Sequence, residues 1–245
     1  MNDNLSIGGT NPGHRTSDST HGAIAPVWHT LVVLLVLFGM SWASARAGNR
    51  LAATPRAKLS NYIVVIITEW AIVAFIAFSM KRRGFRISEI VGGRWASARE
   101  IFRDLGIGLA FMVVCGGGIL NGLGHLLKAS PNQTLKSVLP QSGAELIVWV
   151  LMSLTAGFCE ELIFRGYLQR QFSVLTRATA GGIVLQGLVF GAAHGYQGWK
   201  YMLLISVYGI LFGLLVLWRR SLRPGMIAHG LQDTLGGILG RYLMR

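Results

Sequence analysis

Residues Tyr62 to Met80 read YIVVIITEWAIVAFIAFSM, and Lys81-Arg82-Arg83 follows at once. A helix needs about 20 mostly apolar residues to cross a hydrocarbon core ~30 Å thick. The run meets that length with a single charged side chain, Glu69, and the basic triplet stops it where headgroups would begin. The same pattern recurs on both sides. Pro26 to Ala45 forms an earlier run, and Ile101 to Leu127 a later one. Another begins near Ala144 and continues through the charged stretch Glu160 to Arg165. Gly181 to His194, Tyr201 to Trp218 and Pro224 to Leu243 complete the set. The reading is an all-α, polytopic transmembrane bundle of about seven or eight helices.

Composition agrees. Hydrophobic residues make up 52% of the 245, charged residues only 13%, and the mean hydropathy is +0.49. Soluble domains carry about 25% charged residues, so the membrane class is favoured before any motif is considered. A net charge of +13 would suggest nucleic acid in a soluble protein. Here the basic residues lie between apolar runs, as the positive-inside rule and anionic headgroups dictate, and no basic stripe with interleaved aromatics occurs. Nucleic acid is therefore excluded as a partner, and the lipid bilayer is expected as one. Counting Lys and Arg by alternating loop places the N-terminus in the cytoplasm, with a bacterial plasma membrane as the expected location.

Residues 1–25 are polar and read as a disordered tail. Residues 26–245 read as one transmembrane domain, since this length leaves no room for a separate soluble module. Ala43-Ser44-Ala45 resembles a signal-peptidase site, but the preceding tail is long for an n-region and has only Arg15 as a fixed positive charge, so the first run is kept as a span. Trp95 to Glu100, flanked by Arg94, Arg99 and Arg103, is expected to form an interfacial helix. The 32 glycines include Gly187/Gly191, Gly191/Gly195, Gly209/Gly213 and Gly236/Gly240, four apart, a spacing that lets helices approach closely. Cys115 and Cys159 lie in apolar runs and read as reduced, packed thiols.

Ionisable side chains inside apolar helices are costly and point to function. In Phe158-Cys159-Glu160-Glu161-Leu162-Ile163-Phe164-Arg165, Glu161 and Arg165 are four apart, acid before base, and form a one-face pair that makes burial of both tolerable. Glu160 points about 100° away, with no partner in its own segment. It reads either as a desolvated general base or as a helix-end residue reaching interfacial water. Cys159 points away from Glu160 by the same angle, and nothing in its segment activates the thiol. His194 ends Phe190-Gly191-Ala192-Ala193-His194, whose small residues leave room for a substrate backbone or for a second helix. His229 and Asp233, at i and i+4, share a face. They can orient one another, hold a metal, position an oxyanion or cap a short helix. Glu69 either bonds another helix or lines a cavity. Together the acids and imidazoles of three successive helices offer what hydrolysis needs: a base for water, a proton relay and oxyanion donors.

Glu160-Glu161-x-x-x-Arg165, Phe190-x-x-x-His194 and His229-x-x-x-Asp233, in that order, resemble the three motifs of the CAAX prenyl protease and bacteriocin-processing (CPBP, or Abi) family. The resemblance covers about residues 140–240, which would form a CAAX-protease-like catalytic core. It implies an intramembrane endopeptidase acting on a membrane-associated, lipidated or CAAX-type peptide or protein. Carried over by position, Glu160 activates water with His194 assisting, His229 and Asp233 stabilise the oxyanion, and Glu161 with Arg165 is the structural ion pair. The family pattern commonly ends in Asn, whereas an ionised Asp233 cannot donate a hydrogen bond. No cofactor is certain. If Zn²⁺ is bound, its ligands would be Glu160, His194, His229 and Asp233, although the helical zinc signal HExxH is absent. The competing readings are a non-catalytic membrane scaffold or bacteriocin self-immunity factor, and a proton-coupled transporter. For the transporter, the matched helix interruptions of an inverted repeat are missing.

Overall fold

A computed structural model describes residues 23–51, 54–130 and 133–243, so most of the expected polar tail lies outside the described residues. Each long apolar run forms a helix: α1 (Val27–Leu51), α2 (Pro55–Arg82), α4 (Ala98–Leu126), α6 (Gly143–Thr176), α7 (Thr179–Ala193), α8 (Trp199–Arg219) and α9 (Arg223–Leu243). Two short helices, α3 (Ile87–Val91) and α5 (Gln133–Val138), lie between them. The chain is an all-α helical bundle. Among the described residues five helices, α1, α2, α4, α6 and α8, are long and apolar enough to cross a membrane. At 1.5 Å per residue the 15 residues of α7 reach only about 22 Å, so α7 is short for a full crossing. Large apolar side chains such as Leu35, Ile67, Phe78, Phe102 and Ile147 are exposed on the outer faces, a surface that lipid tails solvate. The protein is an integral membrane protein.

Local chemistry sets the helix starts. Thr54 accepts from the Ala57 N–H and Pro55 occupies the first turn, so α2 begins ahead of the apolar run at Tyr62. At α6 the Ser142 hydroxyl accepts from the Glu145 N–H at 3.2 Å, while the Glu145 carboxylate accepts from the Gln141 N–H at 2.7 Å, a reciprocal cap. Lys58 then pairs with Glu145 at 3.2 Å and ties α2 to the start of α6.

The expected helix over Trp95 to Glu100 forms only from Ala98, as the first turn of α4. Gly92 and Gly93 take positive φ (114° and 75°), and Ser97 caps α4, which starts only at Ala98. The Trp95 indole donates to Asp104 at 2.9 Å, which draws this loop back over α4. The short helix in this connection is α3, whose Ile90 is buried in the core.

α6 occupies the middle of the bundle. Every residue from Glu161 to Leu168 is buried, in a stretch where the helix widens to π-type i→i+5 bonding. Its apolar side chains Leu162, Ile163, Phe164 and Leu168 join Ile76 and Met80 of α2 and Val33 of α1 in the main core. Two backbone contacts set the remaining geometry. α7 meets α8 at Gly187 and Gly209, where a Cβ added to Gly209 would lie 2.8 Å from the Gly187 Cα. α6 meets α9 at Gly157, where an added Cβ would lie 2.7 Å from the Gly230 nitrogen. The second contact is one turn from Glu161 and adjacent to His229, so it brings the acids of α6 against the imidazole of α9.

Candidate active site

The π-type stretch of α6 begins at Glu161, and the two carboxylates at the junction have different surroundings. Glu161 is fully buried. Its Oε1 lies 3.0 Å from Arg165 Nη1 and 3.0 Å from His229 Nδ1. The spacing thus does pair Glu161 with Arg165. The guanidinium, also buried, sits 4.2 Å from the Phe190 ring centroid and 4.7 Å from that of Phe212. Each ring face attracts a desolvated cation by as much as about 2 kcal/mol. Neither member lines the cavity described below.

Glu160 turns away from that pair, and 17% of its side chain is exposed. Its Oε2 lies 3.6 Å from His229 Nε2. Asp233 Oδ2 lies 3.5 Å from the same nitrogen, one turn along α9. Three carboxylates therefore surround His229: Glu161, bonded to Nδ1, and Glu160 with Asp233 near Nε2. Ionised carboxylates only accept, so both ring nitrogens face acceptors. Asp233, 39% exposed at its side chain, also reaches open space. Its backbone carbonyl accepts from the Trp149 indole at 2.9 Å, which ties α9 back to α6.

His194 stops α7. Its backbone leaves the helical region (φ −99°, ψ 13°), and its Nδ1 lies 2.8 Å from the Phe190 carbonyl. A carbonyl accepts, so Nδ1 carries a hydrogen, and in the neutral ring Nε2 is the nitrogen with the lone pair. The Phe190 ring lies edge-on between the two imidazoles, with centroids 4.8 Å from His194 and 5.9 Å from His229. One motif residue thus positions both histidines while its face covers Arg165.

Glu160, His194, His229 and Asp233 all line one cavity of about 890 Å³, bounded by α1, α2, α4, α5, α6, α7, α8 and α9. Much of the wall is apolar, including Leu37, Met40, Ile72, Met112, Val113 and Leu120. Cys159 is fully buried in the core and does not line it. His125 does.

Three side chains that the sequence did not assign also belong to this cavity. Glu69, from the middle of α2, lies against Glu160 on the cavity wall. The Tyr208 hydroxyl donates to the Gln232 Oε1, so the amide nitrogen of Gln232 is the donor left for the cavity. Gln232 sits inside the third motif and could have been weighed there. Tyr208 lies in an apolar run, with no periodic signal to single it out.

Zinc-type donors are present, but among the described residues no three His, Cys, Asp or Glu side chains are arranged to hold one metal ion. Nδ1 of His229 and Nδ1 of His194 are already hydrogen-bonded. The arrangement does not fit a metal centre, and the chemistry below runs through side chains alone.

A scan against protein-family models matches residues 142–235 to the description "Type II CAAX prenyl endopeptidase Rce1-like". A search of curated proteins and a search of solved structures each return no match. The matched segment holds all three motifs, and the carboxylates and imidazoles they supply meet at the cavity, so residues 142–235 are similar to an Rce1-like domain of the CAAX protease family.

Proposed function

We propose that the chain hydrolyses a peptide bond of a membrane-associated substrate at this cavity, with Glu160 as the general base. The family supports endopeptidase activity in general terms. The observation that carries the finer reading is the convergence of Glu160, His194, His229 and Asp233, from α6, from the end of α7 and from α9, on one partly open hollow.

In this reading a water lies between the Glu160 carboxylate and the lone pair of His194 Nε2. Glu160 takes a proton as the water oxygen bonds to the scissile carbonyl carbon. The carbonyl π electrons move to oxygen, and an N–H of His229 with the Gln232 amide stabilises that charge. Collapse breaks the C–N bond, and the proton on Glu160 passes to the leaving nitrogen. Asp233, an acceptor facing His229, orients the ring rather than contacting the oxyanion. Positioned acid–base groups of this kind contribute about 10²–10⁴-fold in rate. The apolar wall suits a lipidated or membrane-embedded segment beside the scissile bond. The basic run Lys81-Arg82-Arg83 at the end of α2 supports a cytoplasmic N-terminus, since α1 and α2 together return the chain to its starting side.

The test is cleavage of a fluorogenic, farnesylated CAAX-type peptide by purified protein in proteoliposomes, with and without a zinc chelator. Cleavage that persists with chelator and disappears in Glu160→Gln and His194→Ala, both still folded, is the expected result. A scaffold would show no cleavage with the parent protein. A metal enzyme would lose activity on chelation and regain it with Zn²⁺.

A further inference from the structure

We propose that Glu69 is a positioning residue for Glu160, holding the catalytic carboxyl through a side-chain contact from α2. The inference rests on Glu160 being the base, as proposed above.

Four carboxylates are buried in the described residues: Glu69, Asp104, Glu145 and Glu161. Three of them hold a cation. Asp104 meets Arg103, Arg219 and Arg223, Glu145 meets Lys58, and Glu161 meets Arg165. Those pairs explain themselves, because a buried carboxylate with a guanidinium or ammonium partner is tolerable and fastens two segments. Glu69 forms no ion pair with Lys or Arg among the described residues. It is 6% exposed, in the middle of an apolar span, and its Oε2 has no hydrogen-bond partner. A carboxyl in that position is costly, and a scaffold role would be served better by an apolar side chain.

What Glu69 does touch is the site. Its carboxyl is within hydrogen-bonding reach of Glu160, and both side chains line the same cavity. Glu160 Oε2 has no hydrogen-bond partner either, since His229 is too distant at 3.6 Å. Two carboxyl groups can hydrogen-bond only through a proton on one of them, so a contact from Glu69 takes up one side of Glu160 and leaves the other facing the cavity. The register that makes this possible is held nearby: Trp70 stacks on Phe158 with centroids 5.5 Å apart, fixing α2 against α6 beside both carboxyls. Glu69 lies outside residues 142–235, so this contribution comes from a helix beyond the matched domain.

The experiment compares parent, Glu69→Leu, Glu69→Gln and Glu160→Gln in the proteoliposome assay, measuring kcat, KM and thermal stability. Leucine keeps the bulk but cannot hydrogen-bond, while the glutamine amide still donates to Glu160. Misplacing a reacting group by about 1 Å costs about 10²-fold, so Glu69→Leu should lose about 10–100-fold in kcat with KM and stability held. Glu69→Gln should stay within about threefold of the parent, on the same hydrogen-bond argument. Parental kcat in Glu69→Leu overturns the proposal. So does an equal loss in Glu69→Gln, or a loss in Glu69→Leu that only tracks unfolding. If Glu160→Gln itself stays active, the base assignment fails. If Glu160→Gln is inactive while Glu69→Leu is not, only the role of Glu69 fails.

Discussion

Replacing Arg165 with methionine leaves the Glu161 carboxylate buried without the guanidinium that sits 3.0 Å away. Both side chains are fully buried, so solvent screening does not soften the loss. Removing one partner of such a pair costs about 3–5 kcal/mol. The faces of Phe190 and Phe212 lose their cation as well, but the methionine thioether packs in the same space and recovers part of that term. For a chain of this size each kcal/mol moves the melting point by about 2–4 °C, so Arg165→Met should melt about 6–20 °C lower. Thermal unfolding in mild detergent, followed by tryptophan fluorescence, measures this directly. The double variant Glu161→Gln/Arg165→Met removes the stranded charge and should recover half or more of the loss, because replacing both partners of a buried pair is often neutral. Peptide cleavage need not recover with it, since His229 Nδ1 loses its carboxylate anchor at 3.0 Å. A single variant within about 1 kcal/mol of the parent, or a double variant no better than the single, would refute the argument that this pair is bound by mutual need.

Other consequences follow from the same contacts. Gly157→Ala places a Cβ 2.7–2.9 Å from backbone atoms of Gly230 and Met226. α9 must shift, so the variant should lose about 1–3 kcal/mol of stability and cleave at least about tenfold more slowly. Gly39→Ala, with nothing within 4 Å, is the neutral control for both readouts. In a Cys115→Ala background a thiol-alkylating reagent applied to folded protein should leave cleavage unchanged, because Cys159 is fully buried and outside the cavity; inactivation that Cys159→Ala prevents would contradict this. Gln232→Leu removes the amide that Tyr208 orients and should lower kcat more than it raises KM, which steady-state kinetics would show.

The spans and the ion pair were legible because each is written locally. An apolar run of helical length says where it sits, and an acid four residues before an arginine says whom it meets. The site was legible only as a list of side chains, because their convergence depends on which helices touch. The seam that joins α6 to α9 runs through Gly157 and Gly230, which belong to none of the glycine pairs with four-residue spacing. Of those pairs, Gly187/Gly191 and Gly209/Gly213 do form the close crossing of α7 and α8, whereas Gly236 has open space beside it. Glu69 could not be assigned because its neighbour, Glu160, lies 91 positions away, in a register fixed by the Trp70–Phe158 stack. The loop at Trp95 was misread for a related reason: its aromatic and basic residues fit an interfacial helix, but the indole is claimed by the buried Asp104.

The central claim is that residues of separate helices act as one catalytic unit, and a double-mutant cycle on kcat/KM for Glu160→Gln and His194→Ala tests it most directly. Groups that act together are strongly non-additive. The account predicts that the double variant is about as impaired as the worse single variant, with all three proteins folded and inserted. Losses that simply multiply would mean the two side chains work independently, and the shared site would have to be abandoned.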